Sequence, residues 1–254
     1  MSAASEVLQY RHVGRTIGVI LLLQMVVGPL VNFVMLKPVF AAPGFLVNAA
    51  PHAFNMSLAA LLNLSLGALS VGMAITALPV FRRHSEALAL WFLVLAVASF
   101  LLTTIESETL LSLLSLSREY AKAGVSDAEL FHVGRVLAAS ARNWAHYVGL
   151  IVAGSMLIVL YTTLYRAALV PRLLAVAGLG GAVLQLVAVT MPVFGRPIMF
   201  GLLFPLGLAH LVLAVWLLAR GFEAPAARVP ESGTYGARQE SRKKGAFPHT
   251  ELDP

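Results

Sequence analysis

The stretch "ALALWFLVLAVASFLLTTIESETLL" (residues 87–111) decides the fold. From Ala87 to Ile105 it contains no charged residue. About twenty such residues carry a helix across a bilayer. The run then ends on two carboxylates, Glu106 and Glu108. An acid in or beside hydrocarbon is costly, so each of the two needs a reason.

The rest of the chain extends this pattern. Of its 254 residues 59% are apolar and only 12% charged, with mean hydropathy +0.83. A soluble domain carries about a quarter charged residues. So little polar surface means an integral membrane protein. The chain has no cysteine, which excludes disulfides, thiolate metal sites and cysteine nucleophiles. Its net charge is +6. Arg and Lys gather at the ends of apolar runs and in the tail, as topology signals do, so nucleic acid is not an expected partner.

Six apolar segments are long enough to span, at about 16–36, 54–80, 87–111, 144–165, 173–192 and 198–219. The expected fold is therefore all-α: a polytopic membrane helix bundle with six transmembrane helices. Basic residues precede the first segment, but its apolar run exceeds the roughly 7–15 residues of a signal peptide, so it reads as an uncleaved span. Arg82, Arg83, Arg166 and Arg172 lie in two short loops on one side, and Arg220 follows the last span. The positive-inside rule then predicts N-in/C-in. Residues 1–15 are expected to be cytoplasmic and 16–221 to form the membrane domain. The long outer connection, about 118–143, is expected to be helical, beginning at a capping box of Ser126 and Glu129. Residues 222–254 are polar and rich in Pro, Gly and Ser, which predicts a disordered cytoplasmic tail.

Packing is expected along Ala68, Gly72 and Thr76, a small-residue face, and at Gly178–Gly181. Pro29 and Pro205 are expected to kink their helices. No three-plus-three inverted repeat is legible.

The polar residues sort by depth at about 1.5 Å of rise per residue. Glu106 lies roughly 35 Å beyond Arg83, and His146 roughly 30 Å from Arg166, so both are near the outer interface. His52, Asn55, Arg142, Asn143 and Arg196 fall in that layer. His210 is roughly 15 Å from Arg220, at mid-bilayer, with Gln24 and Gln185. Glu106 and Glu108 are two residues apart, so on a helix they point in nearly opposite directions. Glu106 is expected to face the bundle and Glu108 the outer loop. His132, Arg135, Ala139, Arg142 and His146 share a face that supplies counter-charges to Glu106.

Three functional readings follow. One is an outer-facing polar pocket for a small or lipid-like ligand, built from Glu106, Arg142, His146, His52, Asn55 and Asn143. Another is an enzyme on a lipid or isoprenoid substrate, with Glu106 as acid or base and His146 or His52 assisting. The last is a structural or regulatory membrane protein, in which an acid–base pair only braces two helices. A metal set of His52, Glu106 and His146 has N/O chemistry but no ligand motif. His210 is expected to be a neutral imidazole bonded to a backbone carbonyl or to Gln185. No P-loop, G-x-G-x-x-G or G-x-S-x-G occurs. Cofactor and oligomeric state have no signature in the chain.

Three segments also resemble one known family in order: "ALPVFRRHSEALALWFLVL" (77–95), "LYRAALVPRLLAVAGLGGA" (164–182) and "HLVLAVWLLARGF" (210–222). They are similar to the bacterial integral-membrane family described as domain of unknown function 4386. The resemblance implies a multi-span protein of the bacterial inner membrane and no particular activity. It also implies a glutamate at the position of Glu106. Such proteins often carry an arginine one turn earlier, where this chain has Thr103, and Gln-Glu where it has Ala209–His210.

Overall fold

The computed structural model describes residues 3–123 and 128–223, which form helices joined by short turns, with no strand. Ser126, the side chain of Glu129 and the tail from Ala224 onward lie outside the described residues. Six helices are long and apolar enough to cross a membrane. The spans are built on α1 (Ala3–Pro29), α4 (Ala53–Phe81), α5 (Glu86–Ala123), α6 (Ala128–Arg166), α7 (Arg172–Thr190) and α8 (Phe204–Arg220). Two single turns, α2 (Lys37–Phe40) and α3 (Phe45–Asn48), fold the first connection.

The spans form a ring. Each packs mainly on its neighbours in sequence, and α8 returns onto α1. Large apolar side chains such as Phe54, Leu173 and Phe204 point outward and are exposed, which is costly in water and favourable in lipid. Small or polar residues turn inward, among them Asn63, Ser70, Ser99 and Glu106.

The ring closes where two glycines permit it. A Cβ on Gly14 would lie 2.3 Å from the backbone of Phe222, and one on Gly221 would lie 2.6 Å from that of Arg11. Gly221 also has φ +72°, a conformation that favours glycine. The turn it makes carries Phe222 back under the bundle. Phe222 is therefore buried against Phe81, although composition had placed it in the tail. The amide of Glu223 donates to the carbonyl of Leu169 at 2.9 Å. With Tyr10, Val13, Phe92, Leu164 and Val170 these residues make a packed core at the end of the ring that carries Arg83 and Arg166.

The opposite end is built differently. Pro29 has no N–H to donate, and α1 widens after it into a π-helical turn, Leu30–Met35, closed by Leu36 N–H to Val31 O at 3.0 Å. This is the distortion expected at Pro29. Pro205 behaves otherwise. It sits in the first turn of α8, where a missing N–H costs nothing, so it starts the helix and does not kink it. The chain between α2 and α4 folds onto α5 through Ser117, which donates to Leu46 O and accepts from Ala50 N–H. A second core of Val31, Leu36, Phe45, Met56 and Leu110 joins only this side.

The packing face of α4 also differs from the expected one. Gly72 has open space at its Cβ and Ala68 is exposed, while Gly67 touches the ring of Phe100. The contact face is shifted by one residue because it follows Ala60, Asn63, Gly67, Ala74 and Ala77, which point into the ring. Gly178 is the tightest position of all. A Cβ there would fall 1.9 Å from the ring of Tyr161. Gly178→Ala should cost about 1–3 kcal/mol by overpacking. Gly72→Ala should stay within about 0.5 kcal/mol. Thermal unfolding of the two variants in detergent measures both.

Candidate functional site

The ring is not filled along its axis. A cavity of about 430 Å³ lies inside it, and every span contributes to its wall. This chamber joins the residues read as deep to those read as outer. Glu106 and His146 line one end, and Gln24, Gln185 and His210 line the same space. The depth argument had separated His210 from Glu106 by length along the chain. Both face one continuous void, so they need no direct contact to belong to one site.

At the end of the chamber away from Arg83 and Arg166, Glu106 is buried, while Glu108, two residues on, is exposed. Glu106 Oε1 accepts from His146 Nδ1 at 2.9 Å and from Arg142 Nη2 at 3.4 Å. The three side chains are 11%, 23% and 13% exposed for Glu106, His146 and Arg142. The charges are thus largely withdrawn from solvent, and mutual pairing is what makes the burial tolerable. A carboxylate only accepts, so the proton lies on His146 Nδ1, leaving Nε2 for other partners. The guanidinium of Arg142 lies 4.9 Å from the centre of the Phe40 ring, and its Nε is buried without a partner among the described residues.

Nearer the arginine-bearing end, His210 Nδ1 lies 2.9 Å from the hydroxyl of Tyr161. Gln185, the partner expected from depth, makes no such bond. Tyr161 is fully buried, and this is the one hydrogen bond its hydroxyl makes among the described residues. A buried O–H needs an acceptor. Tyr161 therefore donates to Nδ1, and His210 keeps its proton on Nε2. Tyr161 carried no sequence signal, because a tyrosine in an apolar run reads as ordinary core. The clue was Gly178, whose missing side chain makes room for the tyrosine ring on the neighbouring helix.

Between the ends the wall offers amides and hydroxyls. Gln24 Nε2 donates to Ser70 Oγ at 2.8 Å and to Leu66 O at 3.3 Å, tying α1 to α4. Asn32, on the π-helical turn, donates to Gly28 O at 3.1 Å. Asn63 makes no side-chain hydrogen bond among the described residues, although it is only 7% exposed. Such a group in a cavity wall is satisfied by whatever fills the cavity.

The other expected residues lie apart. His52 stands just before α4 with its Nδ1 turned back to Asn48 O at 2.9 Å, and Asn143 is exposed. Neither they nor Asn55 line the chamber. Among the described residues no three His, Asp or Glu side chains gather to hold a metal, so His52 does not join Glu106 and His146.

A six-span helical membrane bundle around a mostly apolar cavity, to which each span adds a polar group, is the class that this fold defines. Within it, the chain belongs to the family described as domain of unknown function (DUF4386), whose sequence profile matches residues 16–221. No curated protein and no solved structure was found to be similar to it.

Because Glu106 is held by Arg142 and His146, and Glu108 by no ion-pair partner among the described residues, their neutral variants should differ. Glu106→Gln leaves Arg142 without a counter-charge and should cost about 3 kcal/mol. Glu108→Gln should change stability by less than about 0.5 kcal/mol. Unfolding midpoints of the two purified variants test the difference.

Proposed function

We propose that this protein binds a small amphipathic ligand within the six-helix chamber and admits it from the outer face of the bacterial inner membrane. The observation that carries this reading is the chamber itself, to which every span turns polar groups. Helix packing alone gives no reason to line an axis with Gln24, Asn63, Gln185 and His210. In a bilayer such groups are retained at a cost and mark sites or pathways. The arrangement is suited to a molecule with hydrogen-bonding groups at both ends. One end would meet the carboxylate of Glu106 and the other the Nε2–H of His210. Leu21, Met25, Met156 and Leu157 would surround its apolar middle.

The direction of access follows from the packing of the two ends. The arginine-bearing end is sealed by the aromatic core around Phe81, Phe92 and Phe222. The opposite end is flanked by a second cavity that shares Gly28, Asn32, His146, Leu150 and Leu203 with the chamber. With the arginines cytoplasmic, as the positive-inside rule has them, both chain ends face the cytoplasm and the chamber faces outward. The absence of native cysteine makes this directly measurable. Single cysteines at Asn32 and Asn63 should react with a membrane-impermeant thiol reagent added from outside. One at Ala77, in the sealed end, should not.

Occupancy is tested by native mass spectrometry of the detergent-purified protein beside Asn63→Leu and Glu106→Gln. A small molecule retained by the wild type and lost from both variants supports the chamber as a binding site. A bare protein in all three samples, with Glu106→Gln merely less stable, overturns it. Glu106, His146 and Arg142 would then be only a brace between α5 and α6.

A further inference from the structure

The second cavity has a chemistry of its own. It measures about 730 Å³ and lies between the turn of chain after Gly28 and the segments around Val189 and Ile198. Phe33, Phe40 and Phe200 line it and remain exposed, so its flank is open to lipid. Lys37, Arg142 and His146 line it beside Asn32 and Tyr147, and no Asp or Glu is among its lining residues. Glu106, the nearest acid, lines the chamber and not this cavity. Lys37 has no ion-pair partner among the described residues. Arg142 is engaged only along one edge, with its Nη2 at 3.4 Å from Glu106 and its Nε unpartnered. The face of Phe40 is already taken by that guanidinium, which leaves no aromatic cage for a quaternary ammonium.

Depth places these cations at a membrane boundary. Along α6, Arg142 stands about 36 Å from Arg166 at about 1.5 Å per residue. The hydrocarbon layer is about 30 Å thick. With Arg166 at one surface, Arg142 is at the other, where headgroup phosphates lie. Lys37 opens α2 and lines the same cleft.

We propose that this cleft seats one anionic phospholipid, its phosphate held by Arg142 and Lys37 and an acyl chain lying along Phe33, Phe40 and Phe200. A guanidinium presents paired donors that match phosphate oxygens, and an ammonium adds an unpaired point charge. The Phe40 ring, 4.9 Å from that guanidinium, borders the same cleft. The aromatic walls account for a lipid in preference to a free anion, since a phosphate alone would leave them facing hydrocarbon with nothing to gain. The site stands beside the chamber, and its occupancy does not depend on what the chamber binds.

The full chain, stripped of native lipid in detergent, is offered equal amounts of phosphatidylglycerol and phosphatidylcholine and read by native mass spectrometry. Phosphatidylglycerol should be retained about five-fold over phosphatidylcholine, the worth of one basic residue at an anionic surface. Lys37→Gln, at an exposed position that leaves the fold intact, should abolish most of that preference. Arg142→Lys, which keeps the charge and loses the fork, should weaken retention. Asn63→Leu, which obstructs the chamber, should leave it unchanged. Equal retention of the two lipids, or an undiminished preference in Lys37→Gln, overturns the proposal. So does displacement of the lipid by millimolar inorganic phosphate, which would make this a free-anion site. Loss of lipid in Asn63→Leu also overturns it, because the lipid would then belong to the chamber.

Discussion

A carboxylate inside a membrane bundle has to be answered by its neighbours. Glu106 is answered twice, by His146 and Arg142, both from the next helix. That pairing fixes how α5 and α6 face each other, and so fixes which side of each helix turns toward the axis. Ser99 and Thr103 follow Glu106 onto the cavity wall at helical spacing, as Gly149, Leu150 and Ala153 follow His146. The chamber has an acidic end because one acid could be buried there with its charge balanced. Glu108, one step out of phase, faces away and needs no partner.

Much of this was legible in the sequence because bilayers impose few solutions. Runs of about twenty apolar residues can only be helices across lipid. The angle between positions 106 and 108 was enough to separate a buried acid from an exposed one. Spacing along α6 was enough to name Arg142 and His146. The chamber itself was not legible. Periodicity says which face of a helix is polar, but not whether facing helices meet or stand apart. His210 illustrates the difference. Its depth was readable from Arg220, but its partner, Tyr161, comes from a helix whose rotation depends on a glycine contact with α7. The stripe of Ala68, Gly72 and Thr76 misled for a related reason. Small residues permit close approach without requiring it, and on α4 the approach is made one residue away, at Gly67.

The two ends of the ring are unlike in material as well as in charge. One is plugged by aromatic and branched side chains from α1, α4, α5, α6 and α8. The other has its second core on one side only, along α1, α4 and α5. The π-helical turn stands between that core, which takes Val31 and Met35 from it, and the cleft, which takes Asn32 and Phe33. A π-turn holds an extra residue within the helix, and such turns recur at functional sites. Here it carries Asn32 into the wall shared by both cavities.

The closure of α8 against α1 has a consequence for how the molecule is made. The helix that seals the ring is translated last among the spans, and the one it seals against is translated first. Without α8 the ring would lack the helix that packs against both α1 and α7. Gln24 would still be satisfied by Ser70 and Leu66, on the second span to be made. Tyr161 would not, since its only acceptor among the described residues, His210, lies on the final helix. The hydroxyl of Tyr161 thus ties α6 to α8 across the bundle, and an arrangement without α8 would leave a buried donor unmet.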